Sequence, residues 1–231
     1  MKAGIIAPTN KLRKYCILSS LQYCYATLIL SSPTYYTFYR ERLKQGDIVI
    51  LDSTPKLPRK YDTTDILLDA AYKLHPSAIV LPSSDFALER TIIWSEHFQS
   101  KLKLTTKTIG VLQGYDTKTL KKCYKELTCD LIGLPSNLEK VKPRNKLVTQ
   151  LQLSKPILFI EIYSDPLFEV PVDGNILGIV TSFPIRLAYD CRKLNEYLPE
   201  PPTLDFETEK EPLPELTEKN ISKFIKAVEV Q

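Results

Sequence analysis

Along the chain, short apolar runs recur, and each is followed by a stretch in which apolar residues fall three and four positions apart. The runs are Asp47–Asp52, Ala78–Pro82, Ile109–Gln113, Leu131–Pro135, Ile157–Ile162 and Ile176–Ser182. They are nearly continuous in apolar character rather than alternating, which suits parallel strands covered on both faces. Between them the spacing predicts amphipathic helices. One, capped by Thr63 or Thr64, carries Ile66, Leu67, Ala70, Ala71 and Leu74; another, capped by Asp116 or Thr117, carries Leu120, Cys123, Tyr124 and Leu127. Leu147 and Leu151 mark a shorter helix, and Leu187, Ala188, Cys191 and Leu194 mark another, with Pro184 at its opening.

Strands alternating with helices through short links require a parallel sheet. One or two further strands, expected at Tyr15–Ser20 and Thr27–Ser31, bring the total to seven or eight, so the barrel is complete or one strand short. The predicted fold is therefore α/β, a TIM-type (β/α)8 barrel, with an open doubly wound sheet as the alternative. No G-x-G-x-x-G or G-x-x-x-x-G-K-[ST] follows any strand, which argues against nucleotide binding of the doubly wound kind. The domain reading is a barrel over residues 1–198, an acidic Pro-rich arm over 199–217 and a C-terminal helix over 218–231. In that last segment Ile221, Phe224, Ile225 and Val228 form an apolar stripe expected to dock on the barrel.

Composition adds bounds. The 231 residues are 43% hydrophobic and 25% charged, ordinary for a globular protein, and suffice for one large core. No apolar stretch reaches bilayer-spanning length and the N-terminus lacks a secretory core, so a cytoplasmic protein with no membrane partner is expected. The five cysteines are scattered without a C-x-x-C pair, and with only His75 and His97 beside them no metal site and no cofactor are expected. The net charge of +4 conceals an asymmetry: residues 1–60 carry +7, and residues 199–218 carry −6. A basic N-terminal third is compatible with a nucleic-acid partner, DNA or RNA.

In a barrel, functional groups sit where strands end at the C-terminal face. Those ends supply Asp52, Ser83-Ser84-Asp85, Gln113-Gly114, Gly133-Leu134, Glu161 and Thr181-Ser182, with Arg186 one helical turn on. Their order and spacing resemble the tRNA-guanine transglycosylase superfamily, closest to its short viral or archaeal-type members that handle 7-deazaguanines. Leu51-Asp52-Ser53, Pro76 to Pro82, Ile109 to Gly114, Asp130 to Leu134 and Val180-Thr181-Ser182-Phe183-Pro184 carry the likeness.

The resemblance implies base exchange through a nucleophilic aspartate and a second, acid–base aspartate. Asp52 matches the acid–base position. Ser83, Asp85, Gln113, Gly114, Gly133 and Leu134 match base-binding positions, and Glu161, Thr181, Ser182 and Arg186 support them. Val180 stands at the nucleophile position, where a valine cannot attack. The expected function is accordingly a non-catalytic paralogue that binds nucleic acid, as a homodimer or with a catalytic transglycosylase. The alternatives are an active transglycosylase with a relocated nucleophile and an unrelated TIM barrel.

Overall fold

The computed structural model describes residues 1–53, 62–161, 175–194 and 213–229. Eight parallel strands close into a barrel in chain order. They are β1 (Lys2–Ile5), β2 (Leu21–Tyr25), β3 (Ile48–Asp52), β4 (Ala78–Val80), β5 (Lys107–Val111), β6 (Leu131–Pro135), β7 (Ile157–Ile160) and β8 (Ile176–Thr181). The TIM-type architecture expected from the apolar runs is the one observed. The first two strands lie elsewhere, however. Tyr15–Ser20 is mostly short helical turn, and Thr27–Ser31 lies in a helix that buries Ala26 and Ile29. A short apolar run has no period of its own to separate strand from buried helix, whereas Leu21–Tyr25 is buried at every position.

Helices α1 (Leu12–Tyr15), α2 (Ala26–Ser31), α3 (Pro33–Lys44), α4 (Thr64–Leu74) and α5 (Leu88–Lys101) occupy the links of the first half. Helices α6 (Thr117–Glu126), α7 (Arg144–Leu151), α8 (Phe183–Tyr189) and α9 (Pro214–Glu229) follow. Local chemistry starts them. Ser32 caps α3, with Pro33 at its first turn. Asp116 caps α6 in a reciprocal box with Thr119. At α4 the N-cap residue is Thr63, as expected, but the side-chain bond comes from Asp62, which accepts from the Thr64 amide at 2.9 Å. Helix α8 ends at Tyr189, before Cys191, and α9 begins at Pro214, within the span expected to be an extended arm. Residues 199–212 of that arm lie outside the described residues. The apolar stripe of α9 (Ile221, Phe224, Val228) is buried against β1 and α8.

Register sorts the strand residues into two faces. Gly4 pairs with both Val180 and Leu21, Tyr23 with Ile50, Tyr25 with Asp52, and Val111 with Gly133, so each pair shares a face. At Gly133 a β-carbon would lie 2.9 Å from Ile160, 3.4 Å from Ile109 and 3.5 Å from Val111, side chains of neighbouring strands converging inside the barrel. The opposite face meets the helices. There a β-carbon at Gly110 would lie 2.7 Å from Cys129 Sγ and 3.3 Å from Leu127. Helix α3 ties itself to β2 through two buried phenols. Tyr39 Oη donates to the Tyr23 carbonyl at 2.9 Å, and the Tyr25 amide donates to Tyr35 Oη at 3.2 Å.

Where β8 meets β1, Gly178 presses on backbone: a β-carbon there would fall 2.3 Å from the Lys2 carbonyl oxygen and 2.8 Å from Leu21. Backbone cannot rotate away, so a methyl group must push the strands apart. Gly178→Ala is expected to lower unfolding free energy by about 2–3 kcal/mol, read by denaturant titration.

Three of the five thiols (Cys16, Cys24, Cys123) are buried, Cys129 is half-buried and Cys191 is exposed. Burial pushes Cys16 up to about 12 and Cys123 up to about 11. Cys24 is raised by burial and then by the nearby Asp52 charge. In the unfolded chain these groups release protons near pH 9, which the native state retains. The stability they contribute is present below pH 9 and is lost as pH rises from 9 toward 12. At pH 8 a thiol reagent is expected to titrate Cys191 at once and Cys129 slowly, with the other three reacting only on unfolding.

Candidate functional site

Asp52 ends β3, and the register with Tyr25 turns its side chain to the interior. It is only 3% exposed. Tyr23, one strand away and on the same face, donates from Oη to Asp52 Oδ2 at 2.6 Å. The Ser53 amide donates to Oδ1 at 2.7 Å. A 2.6 Å O–H to carboxylate bond belongs to the strong, charge-assisted class. Tyr23 also stacks edge-on against Tyr25, their rings 5.6 Å apart, which limits the phenol's freedom to leave the carboxylate.

Gln113 follows β5 on the parity of Ile109 and Val111 and is fully buried. Its Oε1 accepts from the Phe86 amide at 3.0 Å, which orients the group and leaves Nε2 as a buried donor with no hydrogen-bond partner among the described residues. Phe86 itself is held at φ 57°. The rest of that loop is pinned from α5. Thr91 Oγ1 accepts from the Ser84 amide at 3.0 Å and donates to the Ser84 carbonyl at 3.2 Å, while Ser95 Oγ donates to the Pro82 carbonyl at 3.1 Å. Ser83 is buried beside it. Asp85 is exposed and accepts from Asn137 Nδ2 at 3.4 Å.

Glu161, just after β7, is the second residue at this end in the left-handed region, at φ 54°. The other non-glycine positive-φ residues among those described, His75, Gln152 and Cys191, follow the ends of helices, where such a turn is routine. Phe86 and Glu161 have no such reason. Each costs about 1–2 kcal/mol and persists because surrounding bonds hold it. Glu161 accepts from Thr181 Oγ1 at 3.2 Å, from the Ser182 amide at 3.2 Å and from Ser182 Oγ at 3.1 Å, and Arg186 Nη2 stands 4.0 Å away. Thr181 and Ser182 are fully buried, so this cluster is a tie between β7, β8 and α8.

Beside it, fully buried Arg144 donates from Nη1 to the carbonyls of Leu134 (2.9 Å) and Ile160 (3.2 Å). Its guanidinium lies 5.4 Å from the Phe159 ring centroid, and its Nε donates to Glu139 at 3.3 Å.

The expected site residues thus divide. Asp52, Ser83 and Gln113 stand at or just after the ends of the successive strands β3, β4 and β5, and Glu161, Thr181, Ser182 and Arg186 form a bonded cluster. Gly114 is occupied otherwise: a β-carbon there would strike Thr119 Oγ1 at 2.7 Å, so it lets the loop close onto α6. Gly133 lies inside the barrel beneath Ile160, and Leu134 is a buried residue whose carbonyl Arg144 uses. Tyr23 escaped the sequence reading. Alternation of Leu21, Tyr23 and Tyr25 would have signalled it, but placing a strand at Tyr15–Ser20 hid that period. Among the described residues no group of three His, Cys, Asp or Glu could hold a metal ion, and no helix is long and apolar enough to cross a membrane.

No protein-family model matches the chain, and no curated protein does. Solved structures do. An N-succinyl Arg/Lys racemase from Bacillus cereus is similar at TM-score 0.52 and 14% identity, over 79% of this chain and 51% of that one. A dipeptide epimerase from Enterococcus faecalis is similar at TM-score 0.52 and 14% identity, over 79% and 55%. A putative dehydratase from Mesorhizobium loti is similar at TM-score 0.50 and 13% identity, over 94% and 62%. The chain spans roughly half to three-fifths of the length of these proteins. At such identity the likeness establishes the barrel fold alone.

The findings overturn the transglycosylase resemblance and what it implied: a paralogue in 7-deazaguanine nucleic-acid modification, an active base exchange and a pentosyltransferase class. The similar structures are a racemase, an epimerase and a dehydratase, and the reading of an unrelated TIM barrel is the one that stands. The resemblance rested on apolar strand ends that any parallel barrel repeats.

Val180, taken as a lost nucleophile, is a fully buried interior residue. Its Cγ1 lies 2.7 Å from where a Gly4 β-carbon would stand, so the valine fills space that the glycine leaves. Val180→Asp is accordingly expected to confer no base exchange and to lower stability by about 3 kcal/mol, because it buries an unpaired carboxylate. Denaturant titration beside a labelled-guanine exchange assay checks both.

Proposed function

We propose that the protein is a barrel enzyme that moves a proton on a small polar substrate at the C-terminal end of its strands. Asp52 is the acid–base group and Tyr23 the residue that positions it. The observation that carries this reading is the inward-facing, buried Asp52 carboxylate held by Tyr23 Oη at 2.6 Å. A carboxylate at a barrel strand end is sited where such folds do their chemistry. The phenol fixes the direction from which Oδ2 takes or gives a proton.

Gln113 supports the same reading from β5. Its Oε1 is committed to Phe86, so Nε2 is free to donate to a carbonyl or hydroxyl oxygen of the substrate. The burial of that donor gives a matching acceptor a large advantage, because leaving it unpaired costs about 1–3 kcal/mol. The backbone strain at Phe86 adds to this picture, since such strain gathers at working sites. By analogy of fold, the similar barrels named racemase and epimerase carry reactions that invert a stereocentre.

The test is proton exchange with solvent. The protein is incubated in D2O with a panel of amino acids, N-acyl amino acids and sugar acids, and loss of substrate proton signals is followed by 1H NMR. At least one class is expected to exchange. Asp52→Asn should slow exchange by about 10²–10⁴-fold. Tyr23→Phe should slow it by about tenfold, the worth of one hydrogen bond to a charged group. No exchange and no thermal shift across the panel, or a full rate in Asp52→Asn, would overturn the proposal.

A further inference from the structure

Outside the barrel mouth, the most uneven surface is the outer face of α6 and α7. Lys118, Lys121, Lys122 and Lys125 recur at i, i+3, i+4 and i+7 along α6, a single stripe opposite the buried Leu120 and Cys123. All four are exposed. Helix α7 packs beside α6, and Tyr124 Oη of α6 accepts from the Ser154 amide in the link after α7 at 3.0 Å. There Lys142 and Lys146 line an open groove with Asn145, Thr149 and Gln150.

Six lysines therefore share one wall. Among the described residues Lys121, Lys125, Lys142 and Lys146 have no carboxylate partner. The acids on this wall are already engaged: Glu126 with Lys122 at 3.8 Å, Asp116 in the α6 cap with Thr119, and Glu139 with Arg144 at 3.3 Å.

We propose that this face binds the phosphate backbone of a nucleic acid. A lysine stripe that neighbouring carboxylates leave uncompensated is a footprint for regularly spaced phosphates. Tyr115, 71% exposed immediately before the α6 cap, offers a ring for a base to stack on at the mouth end of the stripe. An anionic membrane fits less well. A membrane-surface helix turns an apolar face outward, whereas the apolar side of α6 is buried in the barrel. The inference stands on the outer helices and is independent of the acid–base reading at the strand ends.

The test uses fluorescence anisotropy of a labelled single-stranded 20-mer, as DNA and as RNA, across a salt series. A quadruple Lys→Gln variant at 118, 121, 122 and 125 is compared with a triple variant at Lys219, Lys223 and Lys226. Those three lie on α9, across the barrel from α6, and are exposed. Wild-type binding should weaken steeply with salt. The quadruple variant should bind at least tenfold more weakly, with its slope of log K against log salt reduced by about 3. The α9 variant should stay within twofold, and circular dichroism should show both folded. Four outcomes would each overturn the proposal: no binding of either oligonucleotide at 50 mM salt, a quadruple variant within threefold of wild type, an equal loss in the α9 variant, or a salt slope unchanged in the quadruple variant. Loss of binding to phosphatidylserine vesicles with oligonucleotide binding intact would reassign the face to lipid.

Discussion

Closure of the barrel between its last strand and its first is the constraint on which the rest of the molecule depends. β8 comes so near β1 that Gly178 leaves no room above the Lys2 carbonyl for a side chain, and Val180 fills the space over Gly4. With that seam shut, every strand has two neighbours and none presents an unpaired edge. The alternate strand residues are then committed to an interior too narrow to refuse a rotation. Tyr23, Tyr25 and Asp52 share one face because the β2–β3 register leaves them no other arrangement. The buried carboxylate is a product of the packing before it is a product of any chemistry.

At the strand ends the molecule separates two kinds of polar organisation. One cluster is densely bonded around Glu161. Glu161 is surrounded by hydroxyl, amide and guanidinium donors, and Arg144 joins the Leu134 carbonyl of β6 to the Ile160 carbonyl of β7. These bonds hold β7, β8 and α8 together and support the unusual backbone at Glu161. The other group keeps capacity in reserve. Among the described residues Gln113 Nε2 has no hydrogen-bond partner. A polar group buried without its full complement is costly, and the adjoining tie is what lets the strand ends carry that cost.

Much of this architecture was legible in the residues. Six apolar runs marked β3 to β8, because strands covered on both faces need no alternation and stand out as continuous apolar stretches. Asp116 announced α6 through a cap whose chemistry is local. The first two strands were not legible in the same way. Lys2–Ile5 is four residues long, and the apolar stretch at Thr27–Ser31 is helical because Ala26 and Ile29 fall on one buried face. The site was half visible. Asp52 and Gln113 stood at strand ends, but their partners Tyr23 and Phe86 are set by register and loop conformation, which composition does not carry. Gly114 and Gly133 were misread because a glycine marks close approach without saying what approaches. It was Thr119 in one case and Ile160 in the other. The family resemblance failed for a related reason: ordered apolar strands with polar tips describe the barrel itself.

The seam also has a history within each molecule. β1 is made before the other strands of the barrel, yet its partner β8 is made after all of them, so this pairing has the longest sequence separation in the barrel. Until then β1 and β7 present open edges, and the growing chain resembles a curved sheet more than a barrel. Helix α9, which covers β1 from outside, arrives later still. The interval before closure is therefore the period in which this chain is most exposed to joining strands with another copy of itself, and the tight glycine fit that secures the finished barrel can give no protection until that interval ends.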